Sequence, residues 1–308
     1  MKKAIAILGS LYLVVLVASI AVFVGDDFSS LEGISYSPIL LLLAFGLSLV
    51  WVLGQSVLWG TLLKDSGTYP KHIDPLRNFF FAKAWLGRYI PGKLAGFAVL
   101  GYQGVKLGFS TQKSSVTAVT HPYFSYVVLA VIGWPSIFFS ALPKWLLAAH
   151  AGAILVLALS VPLLGRKSFA LRLIRKTISR IKPSLIVHNP IRRNTFAASI
   201  LLAGGLAILS GFIQVVILQA LSVQVDFRLL VFVISISALA VFWGGVFFIA
   251  PAGIGVREFV ILSGSGLFLS QDTALSWAIL SRLVSIGSDL FFYLLCWWGA
   301  KTTTEKSN

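Results

Sequence analysis

Two short stretches carry charge into otherwise apolar sequence, and both do so beside proline and glycine. In RYIPGKLAGF (88–97), Arg88 and Lys93 stand on either side of Pro91-Gly92. In IAPAGIGVREF (249–259), Arg257 and Glu258 follow Pro251, Gly253 and Gly255. Two cations at a hairpin tip are suited to gripping a phosphate, with the arginine forking onto two oxygens. The competing reading has both side chains snorkelling to the cytoplasmic interface. Adjacent helical residues point about 100° apart, so Arg257 and Glu258 are each expected to find a separate partner. Glu258 and Asp289 are the carboxylates placed at membrane depth, where each needs a cationic neighbour; Arg257, Arg282 and Arg88 are the candidates. Arg282 and Asp289 lie seven apart, about two turns along one helix face. That spacing suits a network tying the helix to the broken stretches and suits a substrate contact equally. For Asp289, a proton carrier in an ion-coupled cycle stands beside a plain hydrogen-bonded helix contact.

The elements that must hold these residues are membrane helices. Of 308 residues, 57% are hydrophobic and 11% charged, and the mean hydropathy is +0.91. Apolar runs fall at 4–24, 38–63, 79–101, 115–140, 145–164, 195–221, 229–250, 254–269 and 275–300, and a run of about 20 residues is long enough to span a bilayer. The expected fold is all-α and polytopic, with about eight spanning helices and a re-entrant broken segment at 79–101. The first run, evenly hydrophobic and without a small-residue cleavage site, is expected to stay as an anchor. Residues 254–269 are expected to form a short span.

Basic residues orient the chain. Lys2, Lys3, Lys64, Lys71, Arg77, Lys106, Lys113, Lys301 and Lys306 fall in segments that the positive-inside bias assigns to the cytoplasm. Asp26, Asp27 and Glu32 fall in the loop after the first run, which holds no Lys or Arg. Both termini are therefore expected to be cytoplasmic, in a bacterial-type inner membrane. The net charge of +15 is mostly an inner-leaflet charge, which favours anionic lipid over nucleic acid as a partner.

The segment 165–194 is basic throughout, with Leu171, Ile174, Ile178 and Ile181 recurring at helical spacing among Arg172, Arg175, Lys176 and Arg180. This pattern predicts an interfacial amphipathic helix. It is either a docking patch for anionic lipid or a partner enzyme, or only a topology signal. It divides one membrane domain, 1–308, into halves at about 1–164 and 195–300. Each half carries a Pro/Gly break with charges beside it. Broken backbone at membrane depth survives only in protein or beside a wet cavity, and paired breaks in two halves point to a transporter's substrate site. Helix N-termini after such breaks suit phosphate.

GRYIPGKLAG, PAGIGVRE and the late LSRLVS together resemble the transmembrane region of the lysylphosphatidylglycerol synthase family, a flippase-like domain. The resemblance covers nearly the full chain in hydropathy and motif order, and the Pro-x-Gly-x-Gly-x-Arg-Glu element is its most specific part. It implies a polytopic fold with broken helices and, for members fused to an aminoacyl transferase, movement of a charged phospholipid between leaflets. By position it singles out Arg88, Pro91, Gly92, Lys93, Pro251, Gly253, Gly255, Arg257, Glu258 and Arg282 as substrate-binding, with Asp289 added on its depth and spacing. No aminoacyl-transferase sequence follows within the 308 residues, so the chain is expected to act without that chemistry. TAVTHPYFSY (117–126) stands where many members have a Glu-Arg pair, which makes a different headgroup the expectation.

The chain is therefore read as a non-enzymatic flippase for an anionic or phosphate-bearing lipid, such as a phospholipid or a polyprenyl-phosphate intermediate of envelope assembly. The alternative is a non-transporting subunit that docks a glycosyltransferase or lipid-modifying enzyme through 165–194. No Gly-x-Ser-x-Gly, P-loop or His-Glu-x-x-His occurs. His72, His121, His150 and His188 have no metal-ligand spacing, so neither metal nor cofactor is expected. Gln55, Gln214 and Gln219 are expected in interhelical hydrogen bonds, and Trp145, Trp297 and Trp298 as interface anchors. An oligomer is compatible with the sequence. Cys296 is the lone cysteine and rules out an internal disulfide.

Overall fold

The computed structural model describes residues 36–65, 74–89, 94–139, 142–160, 191–247 and 250–305. The expected anchor at 4–24 and the amphipathic helix within 165–194 lie outside the described residues. So do Pro91, Gly92 and Lys93.

Among the described residues the chain is helical, without a strand: α1 (Pro38–Lys64), α2 (Asp74–Leu86), α3 (Leu94–Lys106), α4 (Thr111–Gly133), α5 (Ser136–Phe139), α6 (Lys144–Ser160), α7 (Arg193–Ala220), α8 (Phe227–Val246), α9 (Val256–Ser265) and α10 (Gln271–Glu305). Five stretches are long and apolar enough to cross a membrane: α1, α4 continued through α5, α7, α8 and α10. Helix α6 is apolar and 17 residues long. These helices are hydrophobic on most sides, as helices are that face lipid outward and protein inward. Leu42, Phe138, Leu201 and Leu294 stay exposed, while Leu58, Phe124, Ile217, Phe232, Phe242 and Trp277 are fully buried. Trp145, Trp297 and Trp298 are exposed too, as interface anchors require.

Three helices are too short to span. The hairpin helices α2 and α3 have 13 residues each, about 20 Å, and α9 has 10, about 15 Å, against a hydrocarbon core of about 30 Å. The broken segment at 79–101 is thus a pair of short helices, with Gly87 at the end of the first packed on Gly96 of the second; a Cβ on Gly87 would stand 3.4 Å from the Gly96 Cα. The stretch expected as a short span at 254–269 differs. Its helix begins only after the Pro251–Gly253 turn and ends at Ser265, because the backbone before Val256 adopts conformations that no α-helix contains. It is a half-length segment of ten residues.

The two halves are bound together along α1 and α7, which run antiparallel. At one end the Ser37 N–H donates to the Ala220 carbonyl, 2.8 Å. At the other, the Asp65 carboxylate accepts the Arg192 N–H at 3.2 Å and the Thr195 hydroxyl. Arg192 itself offers no capping side chain, and an aspartate from the first half instead ties down the N-cap N–H and a first-turn hydroxyl at the start of a second-half helix.

Candidate functional site

Helix α10 is the post on which the site is built. Its apolar span runs Gln271–Lys301, so Arg282 and Asp289 both lie within about 6 Å of the middle of the span, measured along the axis. Each pairs with a charge from a broken segment of the opposite kind.

Asp289 takes Arg88. The Arg88 guanidinium donates to one carboxylate oxygen, which also accepts the Tyr89 hydroxyl, and the other oxygen accepts the Trp85 indole N–H at 2.9 Å. The guanidinium carbon lies 4.4 Å from the centre of the Trp85 ring, a cation–π geometry. Arg88, Tyr89 and Trp85 come from the last turn of α2 and the 3₁₀ turn Gly87–Tyr89 that follows it. The Asp289 side chain is 1% exposed. A carboxylate this deep is tolerable because three donors and a full positive charge surround it.

Glu258 takes Arg282. Both carboxylate oxygens meet the guanidinium, and Oε2 also accepts the Gly255 N–H at 2.7 Å, the reach-back half of a capping box at the start of α9. Arg282 does more than pair. Its terminal nitrogens donate to the Ala252 carbonyl at 3.1 Å and the Gly253 carbonyl at 2.9 Å. Those carbonyls belong to the broken backbone, where Ala252 has φ 48° and Gly253 and Gly255 have φ 75° and 82°. A Cβ on Gly253 would stand 2.7 Å from the Gly244 Cα, so the turn packs backbone to backbone against the end of α8. Acceptors that lipid would leave unpaired are satisfied by one arginine side chain.

The two breaks touch each other: the Gly87–Tyr89 turn packs against Pro251–Gly253. The pairs expected from sequence are thereby settled. Glu258 chooses Arg282, Asp289 chooses Arg88, and the two breaks are in contact. Arg88 is held by Asp289 at this point of the structure, which differs from a guanidinium left open for phosphate.

Arg257 is the exception to pairing. Among the described residues it makes no ion pair or hydrogen bond, and its Nε is buried without a partner. Glu258, one residue on, attracts it, while Arg282 and Arg88 repel it. It lines two cavities. One, about 70 Å³, is polar in its charged lining, with Arg88, Arg257, Glu258, Arg282 and Asp289 around it. The other, about 150 Å³, is mainly apolar, with Trp85, Phe97, Leu100 and Leu129 among its walls. Trp51, Arg88, Val241 and Arg257 belong to both.

Of the residues singled out from sequence, Arg88, Arg257, Glu258, Arg282 and Asp289 share the polar cavity, and Pro251, Gly253 and Gly255 shape the turn beside it. Sequence reasoning passed over Tyr89, Trp85 and the serines of α10. A signal for the serines exists: Ser281, Ser285 and Ser288 recur at helical spacing on the face beside that of Arg282 and Asp289 in an otherwise apolar stretch. Gln214 accepts from the Trp277 indole at 3.0 Å and from the Ser281 hydroxyl, the interhelical role expected of it. Gln219 is exposed instead. His121 and His150 each meet one backbone carbonyl, of Gln55 at 3.2 Å and Ala130 at 3.0 Å. Among the described residues no group of ligand-type side chains is gathered for a metal.

The family model for the lysylphosphatidylglycerol synthase TM region matches residues 4–291. The chain belongs to this family. Its polytopic helical fold fits a transmembrane region, and membership gives this multi-pass membrane protein a role connected with membrane lipid. A comparison with curated proteins found no match.

Proposed function

We propose that this lysylphosphatidylglycerol synthase-type domain moves an anionic or phosphate-bearing amphiphilic lipid between the leaflets of a bacterial-type inner membrane, with both termini cytoplasmic and without chemical change to the lipid. The observation that carries this reading is Arg257: a guanidinium without a partner, at a polar cavity built where two broken segments meet. An uncompensated charge in the membrane interior is costly, and an anionic headgroup supplies the missing partner.

The adjoining apolar cavity supports the same reading. A headgroup beside Arg257 has apolar walls next to it for the first part of its chain. Both breaks are clasped to α10 by side-chain pairs rather than by continuous helix. Exchange of such pairs lets one half rock against the other around a fixed site, the usual means of alternating access.

The test is transbilayer movement in vesicles that hold the purified protein and trace phosphatidylglycerol labelled on its acyl chain. A membrane-impermeant reductant bleaches only label in the outer leaflet. Bleaching is expected to run past the half-protected plateau of protein-free vesicles; the same plateau with and without protein would contradict the proposal.

A further inference from the structure

We infer that the chamber around Arg257 selects lipids by headgroup charge: it takes a phosphodiester that carries no cationic group and rejects zwitterionic and cationic headgroups. This rests on the lipid-binding part of the function proposed above and names its substrate class.

The first ground is charge balance. Arg88, Arg257 and Arg282 line the polar cavity together with Glu258 and Asp289, so one positive charge is left over, and Arg257 carries it. A phosphodiester is a monoanion at neutral pH and closes that balance.

The second ground is independent of charge. Four polar atoms of the polar cavity's lining residues are buried without a hydrogen-bond partner: Arg88 Nε, Arg257 Nε, Trp51 Nε1 and Ser237 Oγ. The three nitrogens are donors only, and a hydroxyl can donate. Ser237 is 4% exposed and sits on α8, which packs against α9, and it lines the same cavity as Arg257. A surplus of donors beside carboxylates that are already paired is the complement of a phosphate group, whose oxygens only accept. Buried donors left unmade are expensive, so the ligand that satisfies them gains by doing so.

The acceptors explain the rejection. Asp289 is surrounded by Arg88, Tyr89 and Trp85, and Glu258 by Arg282 and the Gly255 N–H. Gln214 Oε1 already accepts from Trp277 and Ser281. An ammonium brought in on a zwitterionic headgroup meets no open carboxylate among these residues, and it adds a like charge to a chamber that is already positive. A cationic headgroup fares worse on both counts.

Competitive lipid retention on the full chain in mild detergent, read by native mass spectrometry, tests this. The probes are phosphatidylglycerol, a polyprenyl-phosphoryl sugar, phosphatidylcholine and the cationic O-ethyl-phosphatidylcholine. Wild type is expected to retain the two anionic diesters over phosphatidylcholine by at least about tenfold, as one retained charge pair allows, and to retain the cationic lipid least. Whichever diester displaces the other identifies the source. Arg257→Gln should bring the ratio of phosphatidylglycerol to phosphatidylcholine close to one, Arg257→Lys should keep it high, and Ser237→Ala should weaken phosphatidylglycerol retention while leaving the order of lipids intact. Equal retention of anionic and zwitterionic lipid by wild type overturns the inference, and this holds even if a variant fails to fold. So does a ratio that Arg257→Gln leaves unchanged. Because retention needs no transport, selective binding in a protein that moves no lipid would sink translocation alone, and movement without selectivity would sink this inference alone.

Discussion

Arg88 and Asp289, 201 residues apart, are joined in a buried ion pair that fastens the first broken segment to the middle of α10. The pair Arg282–Glu258 does the same for the second break two turns away. One helix therefore holds both interruptions in the membrane backbone, and Arg257, the cation between them, makes no ion pair among the described residues.

Removal of one member of the first pair strands the other. Asp289→Leu leaves Arg88 uncompensated and takes the acceptor from Tyr89 and Trp85, and is expected to cost about 3–5 kcal/mol. The double variant Arg88→Met, Asp289→Leu should recover most of that loss, since a well-packed apolar replacement removes the charge as well as its partner. Thermal unfolding midpoints of the single and double variants in detergent check this. A double variant no more stable than Asp289→Leu would contradict it.

Arg282 is expected to be less replaceable than Arg88. Arg282→Met frees Glu258 and also leaves the Ala252 and Gly253 carbonyls without donors, and adding Glu258→Gln does not restore those two bonds. The double variant Arg282→Met, Glu258→Gln should therefore remain destabilised, where the Arg88–Asp289 double variant recovers. The same unfolding midpoints compare them, and equal recovery would show that the backbone contacts carry little.

The two turn glycines should differ in sensitivity. Both have positive φ, which costs an alanine about 1–2 kcal/mol. Only at Gly253 would the new Cβ strike backbone, 2.7 Å from the Gly244 Cα, whereas at Gly255 it meets open space. Gly253→Ala is expected to lower the unfolding midpoint well below that of Gly255→Ala. Equal midpoints would mean that the close approach to α8 is not maintained.

Gln214→Leu removes the acceptor that links α7 to Trp277 and Ser281 of α10. The expected loss is about 1 kcal/mol, typical of an interhelical hydrogen bond in a membrane. Chemical denaturation in mixed micelles measures it, and no loss would make the contact incidental.

Much of this architecture is legible in the sequence because it follows from solvent and covalent geometry. Runs of apolar residues announce spans, Pro91-Gly92 and Pro251 to Gly255 announce breaks, and a spacing of seven puts Arg282 and Asp289 on one face. Their partners are another matter. Glu258 has three arginines within plausible reach, and the choice among them is made by packing between segments 24 and 201 residues apart, which no local pattern encodes. The same packing reverses the expected order of roles: Arg88, the natural phosphate ligand beside a hairpin tip, is taken by Asp289, and Arg257, expected to have a partner, is left open. The length of α9 is equally hidden, since 254–269 is apolar enough to pass for a span, whereas the left-handed residues Ala252, Gly253 and Gly255 delay its start to Val256 and the helix stops at Ser265.

The central claim is that Arg257 receives the lipid headgroup, and it is tested most directly by transbilayer movement of phosphatidylglycerol in vesicles holding wild type or Arg257→Gln. The variant should fold with an unfolding midpoint equal to or above that of wild type, because it loses a buried charge that had no partner. Its rate of lipid movement should fall by at least about tenfold. A folded Arg257→Gln protein that moves phosphatidylglycerol at the wild-type rate would contradict the account.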